Sequence, residues 1–234
     1  MDTSSLEQVA GEDGDYVGRL VVPYSAYCAI KTPAPGEGSE LPALLLAFHG
    51  YGQSCKGFIK HFAEWPDRNF LVAAPQGVNQ FYWNNGRPGF TWMTSHMRDY
   101  TIQDNMAYMA QLIETLKEQH PFDPNRVFLL GFSQGVAMAF RLAASGIVSP
   151  RGVIACGGDL PPDVEEGLKD LAKFPALVVH GEQDKVVSIE KSVACHQALS
   201  DHGFNVSKQT FEGGHEIPPE IVESIYTWID FLNE

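Results

Sequence analysis

The sequence predicts an α/β fold, a mostly parallel central sheet with helices on both faces and no large lid domain. Three observations predict it. Short continuous apolar runs end at glycine or a polar turn: "ALLLAFHG" (43–50), "FLVAAPQG" (70–77), "VFLLGFS" (127–133), "GVIACGG" (152–158) and "ALVVHGEQD" (176–184). Runs of this length without alternation suit strands buried on both faces. Segments of helical periodicity lie between them. The length, 234 residues, suits one domain of the larger sort.

Residues 1–15 are polar and acidic and read as a flexible tail, leaving 16–234 as a single domain. "VGRLVVPY" (17–24) and "AYCAI" (26–30) read as strands paired with each other. "KTPAPGEGSELP" (31–42) is rich in proline, glycine and charge, so a loop is expected there. Residues 76–100 form a long irregular stretch with six aromatics, Phe81, Tyr82, Trp83, Phe90, Trp92 and Tyr100. Long loops in compact domains are usually functional or disordered, and this aromatic density argues against disorder.

Ile102, Met106, Met109, Ile113 and Leu116 recur at steps of three and four and predict an amphipathic helix. A helix of small residues is expected after Ser133, ending near Leu142. Val193, Gln197 and Leu199 belong to a mixed helix over about 188–202. Ile221, Ile225, Trp228 and Leu232 form the stripe of a C-terminal helix. Pro218 and Pro219 fit its first turn, where a missing N–H matters least.

Composition excludes some function classes. The formal charge is −13, from 29 acidic and 16 basic residues, which opposes binding to nucleic acid and to anionic membranes. No stretch approaches the roughly 20 apolar residues of a membrane span. The four cysteines (Cys28, Cys55, Cys156 and Cys195) show no CxxC spacing, and the N-terminus lacks the basic start and apolar run of a secretory signal. Free thiols and a cytoplasmic location are expected. Neither GxxxxGK[ST] nor GxGxxG occurs, nor HExxH or paired CxxC, so no cofactor and no metal is expected.

The chemistry is carried by "LLGFSQGVAM" (129–138). A lone hydroxyl between two glycines, at the junction of an apolar strand and a helix, is the pattern of a nucleophile elbow. The sharp turn exposes Ser133 at the carboxyl edge of the sheet, beside a helix N-terminus whose free N–H groups favour negative charge. An acid and then a histidine should follow in the chain. Asp184 lies just past the apolar strand "ALVVHG", and His215 follows the next strand candidate, "VSKQTFEGGH". All three then share one sheet edge, where ligands bind in open α/β folds.

Each has a bland reading. Aspartate is common in turns, and Asp159, after "GVIACGG", is the rival acid. His49 and His180 also end strands but read as packed structural residues, while His96 in the aromatic stretch is a weaker ligand candidate. An oxyanion needs two aimed N–H donors. Gln134, following the serine, supplies one. The loop "HGYGQS" (49–54) supplies the other, with Tyr51 N–H as the donor between two glycines. Trp83, Phe90 and Trp92 either line an apolar acyl groove or form a satellite core that fastens a long loop.

Together "HGYGQS", "GFSQGVAM", "HGEQDKVV" and "GGHEIPPE" resemble the phospholipase/carboxylesterase family of α/β-hydrolases, which includes the acyl-protein thioesterases. The likeness covers about 40–234, and "GFSQG" and "GGHEI" are its more specific parts. It implies Ser133 as nucleophile, Asp184 as acid, His215 as base, and Tyr51 and Gln134 as oxyanion donors. It implies hydrolysis of carboxylic esters or thioesters through an acyl-enzyme, without cofactor, on small-molecule or acylated substrates. The chain departs from the family at Gln53, where an aspartate is common, and at Val136, where a glycine is common. The rival functions are hydrolysis of a lactone, peptide or polyester, and non-catalytic ligand binding on a hydrolase scaffold.

Overall fold

The structure, a computed structural model, describes residues 7–12, 15–33 and 40–233. In chain order it contains a hairpin of β1 (Glu7–Glu12) and β2 (Asp15–Arg19), then β3 (Cys28–Lys31), β4 (Ala43–Phe48), α1 (Cys55–Phe58) and β5 (Phe70–Pro75). A second hairpin, β6 (Asn79–Tyr82) and β7 (Pro88–Thr91), precedes α2 (Arg98–Gln119). Then come β8 (Val127–Phe132), α3 (Gln134–Ala144), β9 (Gly152–Cys156), α4 (Pro162–Glu165), β10 (Ala176–Gly181), α5 (Ile189–Asp201), β11 (Val206–Phe211) and α6 (Pro219–Asn233).

Seven strands form one sheet in the order β11-β10-β9-β8-β4-β5-β3. Every neighbouring pair is parallel except β3 with β5. The five apolar runs read as strands are β4, β5, β8, β9 and β10, and each is buried along its whole length. Successive side chains on a strand point to opposite faces. Leu44, Leu46 and Phe48 accordingly join one core with Met109, Phe140 and Leu199, while Leu45 and Ala47 join the other with Ile221 and Ile225. Helices α2, α3 and α5 thus cover one face, and α1 and α6 the other. Between β9 and β10 only the four-residue α4 intervenes, so this segment holds no large lid.

Several expectations at the N-terminal side of the chain change. Residues 17–24 and 26–30 do not pair with each other: β2 pairs with β1, and β3 runs antiparallel on the edge of the main sheet, with Cys28 opposite Pro75. An isolated two-stranded ribbon is marginal in water, whereas joining a large sheet satisfies one edge of β3 outright. Part of the stretch read as tail is strand β1, and Arg19 on its partner strand ties to Glu7 and Asp104. The remainder of that tail, and the centre of the 31–42 loop, lie outside the described residues. The mixed helix expected over about 188–202 is α5, which buries Ser192, Cys195 and Leu199 and leaves Val193 46% exposed.

The stretch 76–100 is not irregular throughout, since β6 and β7 pair from Asn79–Thr91 to Tyr82–Pro88. The four cysteines are unpaired. Among the described residues no helix is long and apolar enough to cross a membrane.

Candidate active site

Ser133 sits where β8 ends and α3 begins, with φ 53° and ψ −120°. That conformation is unfavourable for a residue with a Cβ and costs on the order of 1–3 kcal/mol. Its backbone is held by Ser133 N–H to Cys156 O (2.9 Å) and Val136 N–H to Ser133 O (3.0 Å). The flanking glycines are required by close approach. A Cβ on Gly131 would lie 2.4 Å from Gly135 O, and one on Gly135 would lie 2.1 Å from Phe48 O. The pattern G-x-S-x-G is therefore a packing requirement of this turn.

The parallel pairing of β10 with β11 sets Gly181 opposite Phe211, so the loops that follow emerge side by side. Asp184 Oδ1 accepts from Val186 and Val187 N–H at 2.8 and 2.9 Å, which fixes the carboxylate within its own turn. Oδ2 is left for His215 Nδ1, 2.6 Å away. The Asp184 side chain is 1% exposed. Burial pushes its carboxyl upward, but the His215 hydrogen bond and the two N–H donors outweigh this and hold it below the ordinary carboxylate range. The acid is thus ionised and faces an imidazole, which fixes Nδ1 as donor and leaves Nε2 as the basic nitrogen.

His215 packs against Phe132, the residue before Ser133, with ring centroids 4.8 Å apart and the planes tilted by 36°. Gly157, beside the imidazole, holds a φ of 57° that a residue with a side chain rarely adopts. Among the described residues no hydrogen bond joins the imidazole to the Ser133 hydroxyl. The structure brings Asp184 and His215 into contact and sets His215 against the residue next to Ser133. The rival acid Asp159 has no ion pair with His215 among the described residues and lies 3.2 Å from Lys191 instead.

The expected oxyanion donors frame the serine. A Cβ on Gly50 would lie 3.2 Å from Ser133 Cβ, so the loop of Tyr51 runs directly beside the nucleophile. Gly50 N–H is taken by Gln53 Oε1 (2.7 Å) and Gly52 N–H by Phe90 O (2.8 Å). Tyr51 N–H, between them, has no acceptor among the described residues. Gln134 opens α3, so its N–H lacks an intrahelical acceptor.

None of Trp83, Phe90 and Trp92 borders the cavity at Ser133, and Trp83 lines a separate cavity of about 450 Å³ with Gly52, Phe58 and His61. Trp92 is fully buried. Its Nε1–H donates to His49 O (2.9 Å), its ring lies 5.0 Å from that of His49, and its own N–H donates to Gln134 Oε1 (2.9 Å). Phe90 is half-buried and serves through its carbonyl, which receives Gly52 N–H. Trp83 is 45% exposed and lies on Gly52, edge-on to Tyr51 at 5.9 Å. The hairpin β6–β7 and Trp92 therefore brace the loop of Tyr51. The cavity of about 670 Å³ that opens at Ser133 lies elsewhere, bounded by Gln134, Ala137 and Arg141 of α3, by Met93, and by the Asp159–Glu166 segment.

His49 and His180 are buried, as expected of structural histidines. His49 Nδ1 donates to Gly50 O (2.8 Å) and Nε2 accepts from Gly77 N–H (2.9 Å), and burial lowers its pKa to about 4. His180 Nε2 donates to Val187 O (2.9 Å) and stands 3.5 Å from Asp184 Oδ2. His96 is exposed. Among the described residues no three His, Cys, Asp or Glu side chains cluster as metal ligands.

The sequence profile of the phospholipase/carboxylesterase family matches residues 36–233. The chain belongs to that family. A putative hydrolase, MhqD of Bacillus subtilis, is 26% identical over 79% of this chain and 91% of its own. Acyl-protein thioesterase 1 homolog 1 of Dictyostelium discoideum is 27% identical over 80% of this chain and 89% of its own. The solved structure of esterase PE8 superposes with a TM-score of 0.70 at 21% identity, covering 89% of this chain and all of the other. The fold of this phospholipase/carboxylesterase-family chain is that of an α/β-hydrolase.

Sequence reasoning missed two groups. The Gln134 side chain, read only for its backbone N–H, also donates from Nε2 to Thr91 Oγ1 (2.8 Å) and so clamps the segment after β7. Arg141, 3% exposed, binds Asp163 with two 2.7 Å hydrogen bonds. Its signal was present: a single charge within the small apolar helix "QGVAMAFRLAA".

Proposed function

We propose that this protein is a serine hydrolase that cleaves carboxylic esters or thioesters through Ser133, His215 and Asp184 and an acyl-enzyme intermediate. One observation carries the reading: the 2.6 Å Asp184–His215 contact, with the imidazole packed against the residue that precedes a serine held at φ 53°. The relatives named as hydrolases and acyl-protein thioesterases support the substrate class.

His215 Nε2 takes the Ser133 proton as Oγ forms a bond to the acyl carbon. The carbonyl electron pair moves to oxygen, where the N–H groups of Tyr51 and Gln134 receive the charge. Each such donor is worth about 2.7–4 kcal/mol in comparable sites. Collapse breaks the bond to the leaving alcohol or thiol, which takes the proton from Nε2. Water then repeats the sequence on the acyl-serine and releases the acid. Asp184 holds Nδ1–H and stabilises the imidazolium without taking its proton. Catalytic hydrogen bonds often tighten only with substrate bound, so the Ser133 to His215 bond is expected to form in the Michaelis complex. We place the activity in the cytoplasm, in line with four unpaired cysteines.

An organophosphonate should label one equivalent of protein at Ser133, and p-nitrophenyl acetate should give a burst of nitrophenolate. A non-catalytic binding protein on this scaffold would give neither, and a Ser133→Ala variant that still turned over at the wild-type rate would refute the assignment.

A further inference from the structure

We propose that the cavity beside Ser133 selects acyl chains that end in a carboxylate, anchored at its far end by Arg98. The inference rests on Ser133 being the residue that is acylated. Gln134, Ala137 and Arg141 are spaced by three and four residues along α3, so they share one face, and all three bound the cavity. At 1.5 Å per residue, Arg141 lies about 12 Å along the helix from Ser133. A chain attached to Ser133 and laid along this face passes Ala137 and ends among charges.

Those charges are unevenly matched. Arg141 holds both oxygens of Asp163, and Arg98 Nη2 approaches the same carboxylate at 3.5 Å. Two guanidinium groups therefore share one carboxylate, a local net charge of +1 in a chain of net −13. Arg141 Nη1 is buried and has no hydrogen-bond partner among the described residues, so the cluster is short of acceptors. Arg98 is 47% exposed and spends one long contact on Asp163, leaving a guanidinium edge open to the cavity. Of the other carboxylates lining the cavity, Asp159 is matched by Lys191, and Glu166 is exposed and has no ion pair among the described residues. Glu166 works against an anion, so the attraction comes from the donors of Arg98 at short range.

A carboxylate accepts two parallel N–H bonds from a guanidinium edge. A plain alkyl end at the same place would strip water from Arg98 and Asp163 and return no hydrogen bond. The site thus separates two chains of equal length by the group at their tip.

The test compares p-nitrophenyl half-esters of glutaric, adipic and suberic acid with neutral p-nitrophenyl alkanoates of the same carbon number. At least one half-ester should exceed its neutral counterpart about tenfold in kcat/KM, the scale of one charge-assisted hydrogen bond. That advantage should shrink in 1 M salt (roughly 3 Å screening length). Arg98→Gln should bring the ratio to about one, and Glu166→Gln should raise it. Taking the ratio within each variant cancels damage common to both substrates. A wild-type ratio below one at every length, or a ratio that Arg98→Gln leaves in place, overturns the proposal. If neither ester is hydrolysed and no organophosphonate label appears, the serine-hydrolase reading fails separately. Calorimetric binding of suberate then decides on the anchor: weaker binding by Arg98→Gln supports it, and equal affinity overturns it.

Discussion

The indole N–H of Trp92 donates to the main-chain oxygen of His49 over 2.9 Å, inside a fully buried contact. The same tryptophan takes the side-chain oxygen of Gln134 on its backbone N–H. One residue therefore ties together the loop of Tyr51 and the start of α3, the two sources of the proposed oxyanion donors. Trp92→Phe keeps an aromatic ring but removes the pyrrole part of the indole with its N–H bond. It should lower kcat on p-nitrophenyl acetate about tenfold while the melting temperature falls only a few degrees, since one buried hydrogen bond is worth about 1–1.5 kcal/mol. A variant that loses stability but keeps kcat would show that Trp92 serves packing alone.

Ser133 holds a backbone conformation that glycine adopts freely. Ser133→Gly should raise stability by about 1 kcal/mol, or roughly 2–4 °C in Tm, and abolish turnover. Calorimetry beside an ester assay reads both. A glycine variant no more stable than wild type would mean the turn stores no strain.

His49 stays neutral in the fold, with a pKa lowered to about 4 by burial against roughly 6.5 unfolded. The unfolded chain binds the proton first, so stability rises with pH between these values and is lost as pH falls from 6.5 towards 4. The loss amounts to about 3 kcal/mol across that window. Urea midpoints at pH 7, 5.5 and 4.5 should fall steeply in wild type and less in His49→Gln. Equal slopes would assign the acid sensitivity to other groups.

Arg141 is nearly fully buried, and Asp163 balances its charge with two hydrogen bonds. Asp163→Asn leaves that guanidinium inside with one weak neutral partner. The expected cost is about 2–4 kcal/mol, a drop in Tm of roughly 10 °C. An unchanged melt would mean that water reaches Arg141.

Much of this was legible in the chain. The five apolar runs became buried strands because burial on both faces demands uninterrupted apolar sequence. Ser133 and Asp184 could be picked out because each follows such a run, and His215 because it follows the next strand, β11; parallel strands carry their following loops to one edge. The role of the aromatics was not legible. Trp92 and Trp83 lie nine residues apart in the chain, yet one is buried beneath the Tyr51 loop and the other lies on it. Composition counts rings, whereas the hairpin register decides which way each one points.

Read alone, the sequence determined the fold class, the five buried strands in their chain order and the chemical types expected at one sheet edge, because periodicity and turn chemistry are local properties. Only the tertiary structure decided that Asp184 rather than Asp159 meets His215, that Trp92 braces a loop, and that the cavity at Ser133 ends in arginines. Those choices depend on distances between residues far apart in the chain, set by sheet register and helix packing.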